Sequence, residues 1–420
     1  MDSLPLLAKE NAVLLSTGAV LSYILLVRHL RYRRLNNFLA NVEKDCGVVT
    51  RSSDLPLYHA ETIISNIGTW DFPRVTRLSL QFALFRTYGI PTISSILWKT
   101  RQFAERPTAH RRYVDTSVLI VELMAFPLDS PRAKLAIERI NYLHNRHKSS
   151  ISNDDLLYTL ALFMCQPAVF IDKYEWRKLH PIEKMGLHRF WSQVGVMMGI
   201  QGIPDSFERT YEWANQYEIK YMKPAETNAK VAVATMDILL YFIPGFLHPS
   251  VTPIIHAVCD SRLRASFIWP DPPSHLEPIV NAVFGIRAFI TRHLILPRFI
   301  ANHHIEFKAI DDSVPLAERR YYFKLWEADP WYFKKTWWNA YGPVALVCKI
   351  MGWGIPGDEF DSIKGYRVGD VGPKSTVGRG VGNEGWVPGS LLGGGSIIGD
   401  EKEFREKLME SGGKCPMFMG

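Results

Sequence analysis

At 420 residues the chain can build one large helical domain or two smaller ones, and 47% hydrophobic against 22% charged residues supplies a packed core and excludes wholesale disorder. The net charge of +7 is spread out, with dense basic clusters only at Arg28–Arg34 and around Arg106–Arg112. The first cluster reads as a membrane-surface signal, and no nucleic-acid footprint is evident. Five separated cysteines, at 46, 165, 259, 348 and 415, form no CxxC pair and no CxxCH, which argues against a disulfide scaffold, a zinc ribbon or covalently attached haem and suits a reducing compartment.

The first predicted element is an anchor, with a buried amino-terminal helix as the alternative. Seventeen uncharged residues, NAVLLSTGAVLSYILLV, separate Glu10 from Arg28. As a helix they span roughly 25 Å at about 1.5 Å per residue, short for an average bilayer but close to a thin one. A cleaved signal peptide carries its positive charge before the apolar run, whereas Arg28, Arg31, Arg33 and Arg34 all follow it. The positive-inside rule then places RHLRYRR in the cytosol and residues 1–10 in the lumen, with a transmembrane helix over 11–30 and a basic juxtamembrane linker over 31–54.

From about Leu55 to Phe307 apolar positions recur every three or four residues, punctuated by Pro127, Pro131, Pro204, Pro224 and Pro244, which predicts an all-α domain. The segment Lys134–Arg146 is helical in pattern, with Ile140 one turn before His144 on the same face. Another helix starts at Ser152, where Ser-Asn-Asp-Asp supplies a capping residue and first-turn carboxylates. The next starts near Pro181, with Glu183 in its first turn and Leu187, Phe190, Trp191 and Val194 on one face. Val231–Leu247 is apolar but contains Asp237 and Pro244, features that favour a buried core helix over a second span. After about Gly357 the sequence becomes Gly-rich, the composition of an extended tail that wraps or frays. Its Gly380, Gly382 and Gly385 fall in a GxGxxG register, with neither the strand before nor the helix after that a dinucleotide site requires.

Thirteen histidines are present, yet few have partners at ligand spacing. His144 and His147 stand at i and i+3, and His303 and His304 are adjacent. Di-iron membrane hydroxylases need several such clusters, and HExxH, GxSxG and a haem-thiolate cysteine loop are all absent. A histidine on an apolar helix face is ordinarily a core residue. The functional alternative for His144 is a neutral imidazole that binds haem iron in an apolar pocket.

Several stretches together resemble one family: QFALFRTYGIPTIS (81–94), RRYVDTSVLIVEL (111–123), RINYLHNRH (139–147), NDDLLYTLALF (153–163), FIDKYEWRKL (170–179), MGIQGIP (198–204), YEIKYM (217–222), DSRLR (260–264) and the terminal GKCP. In this order they are similar to the fungal ER-bound oxygenases of mycophenolic acid biosynthesis, and more distantly to the rubber oxygenase (latex-clearing protein) catalytic domain. The resemblance implies a globin-like helical haem b domain over 55–356, followed by the Gly-rich tail at 357–420. It also implies that a histidine, here His144, is the proximal iron ligand, and that an Arg and a Thr on an earlier helix, here Arg112 and Thr116, line the cofactor pocket.

The implied activity is O2-dependent cleavage of a C=C bond in a farnesyl-like side chain of a lipophilic secondary metabolite, by an enzyme held in the endoplasmic reticulum membrane with its catalytic domain in the cytosol. No protein partner is implied. Two departures stand out. Rubber oxygenases carry a lysine just before the threonine, where this chain has Asp115, and an acidic residue upstream of the arginine, where this chain reads TISSILWKT. Glu105 and Glu122 are the nearest glutamates, and neither is marked as its replacement. YEWR at Tyr174–Arg177 is expected to form a buried ion-pair network, either closing the pocket or packing helices. The rival readings are a non-catalytic haem- or lipid-binding membrane protein of the same fold and a non-haem iron enzyme.

Overall fold

The computed structural model describes residues 3–101 and 106–382. Helices account for most of it: α1 (Ser3–Cys46), α2 (Leu57–Ser65), α3 (Pro73–Thr87), α4 (Pro91–Lys99), α5 (Arg106–Ala125), α6 (Pro131–Asn145), α7 (Asn153–Tyr174) and α8 (Pro181–Met197). They continue with α9 (Phe207–Tyr221), α10 (Glu226–Leu239), α11 (His248–Val258), α12 (Ser261–Ser266), α13 (Leu276–His293), α14 (Trp337–Tyr341) and α15 (Pro343–Met351). The strand content among the described residues is one short antiparallel pair, β1 (Arg320–Tyr321) with β2 (Tyr366–Arg367). The all-α expectation holds.

Local chemistry starts the helices where the sequence places it. Ser152 caps α7, its Oγ accepting from the Asp155 amide at 3.0 Å, while Asp154 and Asp155 face the positive end of the helix. Ser130 caps α6 and Pro131 opens its first turn, where no amide donor is needed. His180 and Glu183 form a reciprocal capping box at the head of α8. The apolar stretch 231–247 behaves differently from its expectation. Helix α10 stops at Leu239, and the chain turns through Pro244 into a 3-10 turn at Gly245–Leu247 with Phe246 exposed.

The most apolar helix, α7, is the centre of the bundle, packed between α3, α8 and α9, and most of it is buried. By length and composition α7 could also cross a membrane, but its burial identifies it as core. Helix α2 crosses α8 closely at Gly186, where an added Cβ would lie 2.2 Å from Ile63 Cδ1. The YEWR expectation resolves into helix packing. Arg177 donates to Glu183 at 2.7 and 2.8 Å and to Asp71 at 2.8 Å, and Glu175 pairs with Arg287 at 2.7 Å.

The Gly-rich segment wraps as far as it is described. Arg139, fully buried on α6, donates to the carbonyls of Val371 at 2.8 Å, Arg379 at 2.9 Å and Thr376 at 3.2 Å, and to Thr376 Oγ1 at 2.8 Å. Gly380 lies against the Tyr142 ring with φ +77, a position where a Cβ would be both strained and 2.6 Å from that ring. Gly385, the last glycine of the GxGxxG register, lies outside the described residues, as does Cys415.

Candidate active site

A cavity of about 480 Å³ opens between α3, α4, α5, α6, α7 and α8. This is within the usual range for small-molecule sites. Its wall is largely aliphatic and aromatic, with Leu84, Leu119, Leu123, Ile140, Leu156, Phe163, Trp191 and Val194 among the lining residues. Pro373, Ser375 and Thr376 line it from the carboxyl-terminal segment that Arg139 holds down.

The structure brings the three sequence-derived site residues together in this cavity: Arg112 and Thr116 from α5 and His144 from α6 all line it. Ile140 lines it one turn before His144, as the shared helix face requires. Neither ring nitrogen of His144 hydrogen-bonds to another group among the described residues. Burial, followed by the charge of Arg112 and the neighbouring His147, pushes its pKa down to about 4, so the imidazole is neutral at physiological pH. A neutral imidazole with a free nitrogen lone pair, facing an apolar space, is what a metal centre requires of a histidine ligand.

Arg112 and Thr116 form one unit. Arg112 Nη1 donates to Thr116 Oγ1 at 2.6 Å, and the same hydroxyl donates to the Arg112 carbonyl at 2.8 Å. No carboxylate of the described residues lies within ion-pair distance of Arg112, although it lies beside a mostly apolar cavity. An anionic group on a bound molecule would complete it.

Several contributors carry no signal in the sequence. Tyr88 is buried at the end of α3 and lines the cavity, and burial pushes its pKa up to about 12 even though Arg112 pulls the other way. Its hydroxyl therefore stays protonated. Asp155, legible only as a helix-capping residue, also lines the cavity and accepts from Thr92 Oγ1 at 2.8 Å and from the Tyr217 hydroxyl at 2.9 Å. Tyr113 donates to Glu327 at 2.9 Å from another part of the wall.

Other candidates lie elsewhere. Asp115 is buried outside the cavity wall, hydrogen-bonded by Tyr332 at 2.8 Å, with burial pushing its pKa up to about 6. Glu122 is committed to a two-pronged pair with Arg132 at 2.7 Å and to the Tyr366 hydroxyl. Glu105 lies outside the described residues. His303 and His304 are away from the cavity. Among the described residues no three His, Cys, Asp or Glu side chains form a group that could hold a metal ion.

A helical bundle enclosing a largely apolar cavity, with an uncommitted imidazole and a guanidinium in its wall, defines a helical protein built around a small-molecule site. No protein-family model matches the chain. Among curated proteins it is 35% identical to the ER-bound oxygenase mpaB' of Penicillium brevicompactum over 383 residues, covering 86% of this chain and 88% of that protein. It is 33% identical to the ER-bound oxygenase mpaB of Penicillium brevicompactum over 359 residues, 81% of this chain and 83% of that one. It is 37% identical to the ER-bound oxygenase mpaB of Penicillium roqueforti (strain FM164) over 270 residues, 60% of this chain and 89% of that one. The chain therefore belongs to the mpaB family of ER-bound oxygenases, and it is an oxygenase.

Proposed function

We propose that this oxygenase holds haem b in the cavity between α5 and α6, with His144 as the protein ligand to iron, and uses O2 to cleave a C=C bond in a prenyl, farnesyl-like side chain of a lipophilic molecule. The observation that carries the reading is His144 itself, a half-buried imidazole kept neutral and left without a hydrogen-bond partner in a largely apolar wall. Haem supplies O2 activation at iron when bound.

The chain's own residues would contribute binding, orientation and water exclusion. Arg112 offers its guanidinium to a carboxylate at the edge of the group, and its bond to Thr116 fixes the direction of that guanidinium. The aliphatic and aromatic wall takes an extended hydrocarbon and keeps bulk water from the reacting bond. Tyr88, neutral at physiological pH, is a polar group able to hold a proton within that wall. A single-pass anchor over residues 11–30 in the endoplasmic reticulum membrane, with the catalytic domain in the cytosol, would bring the site to a substrate that partitions into lipid. The exposed Leu14, Leu15, Leu25 and Leu26 on α1 support that placement.

The test is an optical spectrum of the full-length protein purified with ample haem supply. A Soret band is expected in the wild type and in His147→Ala, and its loss is expected in His144→Ala. Equal haem content in wild type and His144→Ala would refute the ligand assignment. A wild type without the band would refute haem dependence. With haem established, O2 uptake on a farnesylated aromatic tests the substrate class, and no uptake would refute cleavage of a prenyl chain.

A further inference from the structure

We infer that the carboxyl half of α13 and the loop 294–300 after it form a second membrane-inserted element, seated in the same leaflet that α1 leaves. The inference rests on the reading of α1 as an anchor and adds a part of the folded domain to the lipid contact.

Three bonds fix the depth of this element. The Tyr23 hydroxyl donates to the Leu294 carbonyl at 2.9 Å, and Arg31 donates to the carbonyls of Ile295 at 2.8 Å and Leu296 at 3.2 Å. Tyr23 lies four residues before Val27, the end of the uncharged run, and four residues of helix rise about 6 Å. Leu294 is therefore tied to a level that α1 holds below the lipid headgroups, while Ile295 and Leu296 are tied to Arg31 at the headgroup boundary, so the element lies across that boundary. Helix α13 advances toward that level. Arg287 pairs with Glu175, whose neighbour Trp176 packs on Arg31 and Tyr32, whereas Leu294, seven residues on, reaches Tyr23.

The surface chemistry matches the depth. Ile286, Phe289, Leu294, Ile295, Phe299 and Ile300 are all exposed, the last two at 73% and 83%. A solvated surface rarely carries so dense an apolar patch. From Pro278 to Ile305 the chain has no Asp or Glu, while Arg287, Arg292 and Arg298 are present and Arg28 and Arg33 flank the same end of α1. Apolar side chains beside arginines, with no carboxylates, fit an anionic lipid leaflet.

The experiment is site-directed spin labelling of the full-length protein in phosphatidylcholine–phosphatidylserine nanodiscs, in a background lacking Cys46 and Cys415. Single cysteines replace Leu21, Ile286, Phe299 and, as the aqueous reference beyond the far end of α1, Val48. The collision rate of each nitroxide with O2 is compared with that of a water-soluble nickel chelate. Labels at 286 and 299 are expected to favour O2 as the label at 21 does, with at least a fivefold shift in the ratio relative to 48. A lipid-like ratio at 21 with a water-like ratio at 286 and 299 overturns this inference and leaves the anchor standing. Water-like ratios at 21, 286 and 299 overturn both. Helical circular dichroism of each variant, matched to the parent, confirms that a folded protein was measured.

Discussion

Replacing Arg139 by Met should unlatch the carboxyl-terminal wall of the cavity while leaving the bundle folded. The fully buried guanidinium makes four hydrogen bonds to residues 371–379. Four bonds from a charged donor are worth about 6–12 kcal/mol gross at about 1.5–3 each. Against this stands the cost of burying the charge, which holds the Arg139 pKa down to about 10 in spite of the pull of Asp370. A net loss of about 3 kcal/mol follows, at the upper end of the cost of leaving buried carbonyls without donors. At about 1.4 kcal/mol per decade this is roughly a hundredfold increase in local opening. Native-state hydrogen exchange read by mass spectrometry measures it directly, because peptides from 368–382 should lose protection while those of α7 keep theirs. A change under threefold in 368–382, or an equal loss across α3 and α7, would refute the latch.

Arg112→Met should lower haem retention at least tenfold with α-helical content unchanged, and Arg112→Lys should restore part of it; haem titration followed at the Soret band decides this. Gly186→Ala should destabilise the protein by about 1–2 kcal/mol, because the 1% exposed Ile63 cannot move away from the added Cβ, and this outweighs the helix propensity gained. Urea denaturation checks the value, and Ile63→Val on the same background should recover most of it. Burial, with help from Arg77 and His303, pushes the pKa of His304 down to about 4, so below about 6.5 the unfolded chain takes up a proton that the folded state refuses. Stability should therefore fall between about pH 6.5 and 4, by roughly 2 kcal/mol at pH 5 relative to neutral for this group. His304→Gln should reduce the loss between pH 7 and pH 5, read from urea midpoints, by roughly 2 kcal/mol, and an unchanged loss would remove His304 as a contributor.

Nearest-neighbour chemistry made part of the site legible in the sequence. Ser152 and Pro181 start helices wherever those helices end up, because capping uses atoms within one turn. Arg112 with Thr116, and Ile140 with His144, share faces because i and i+4 always do. Periodicity could not say which neighbour each face meets. Helix α5 was free to turn the Arg112 guanidinium to solvent, and His144 to be an ordinary core side chain. The packing of α5 against α6 placed them in one cavity.

Long-range packing committed Glu122 to the Tyr366 hydroxyl, tied Asp115 to Tyr332 outside the cavity wall, and made Asp155 a wall residue as well as a cap. It also made part of the Gly-rich tail structural. The bond from Arg139 to Thr376 spans 237 positions, a distance over which no local pattern carries information. The sequence by itself determined that this chain is helical and which side chains each helix presents together. Only the tertiary structure decided which of those faces enclose a cavity, because that choice depends on apolar surfaces finding one another after the helices form.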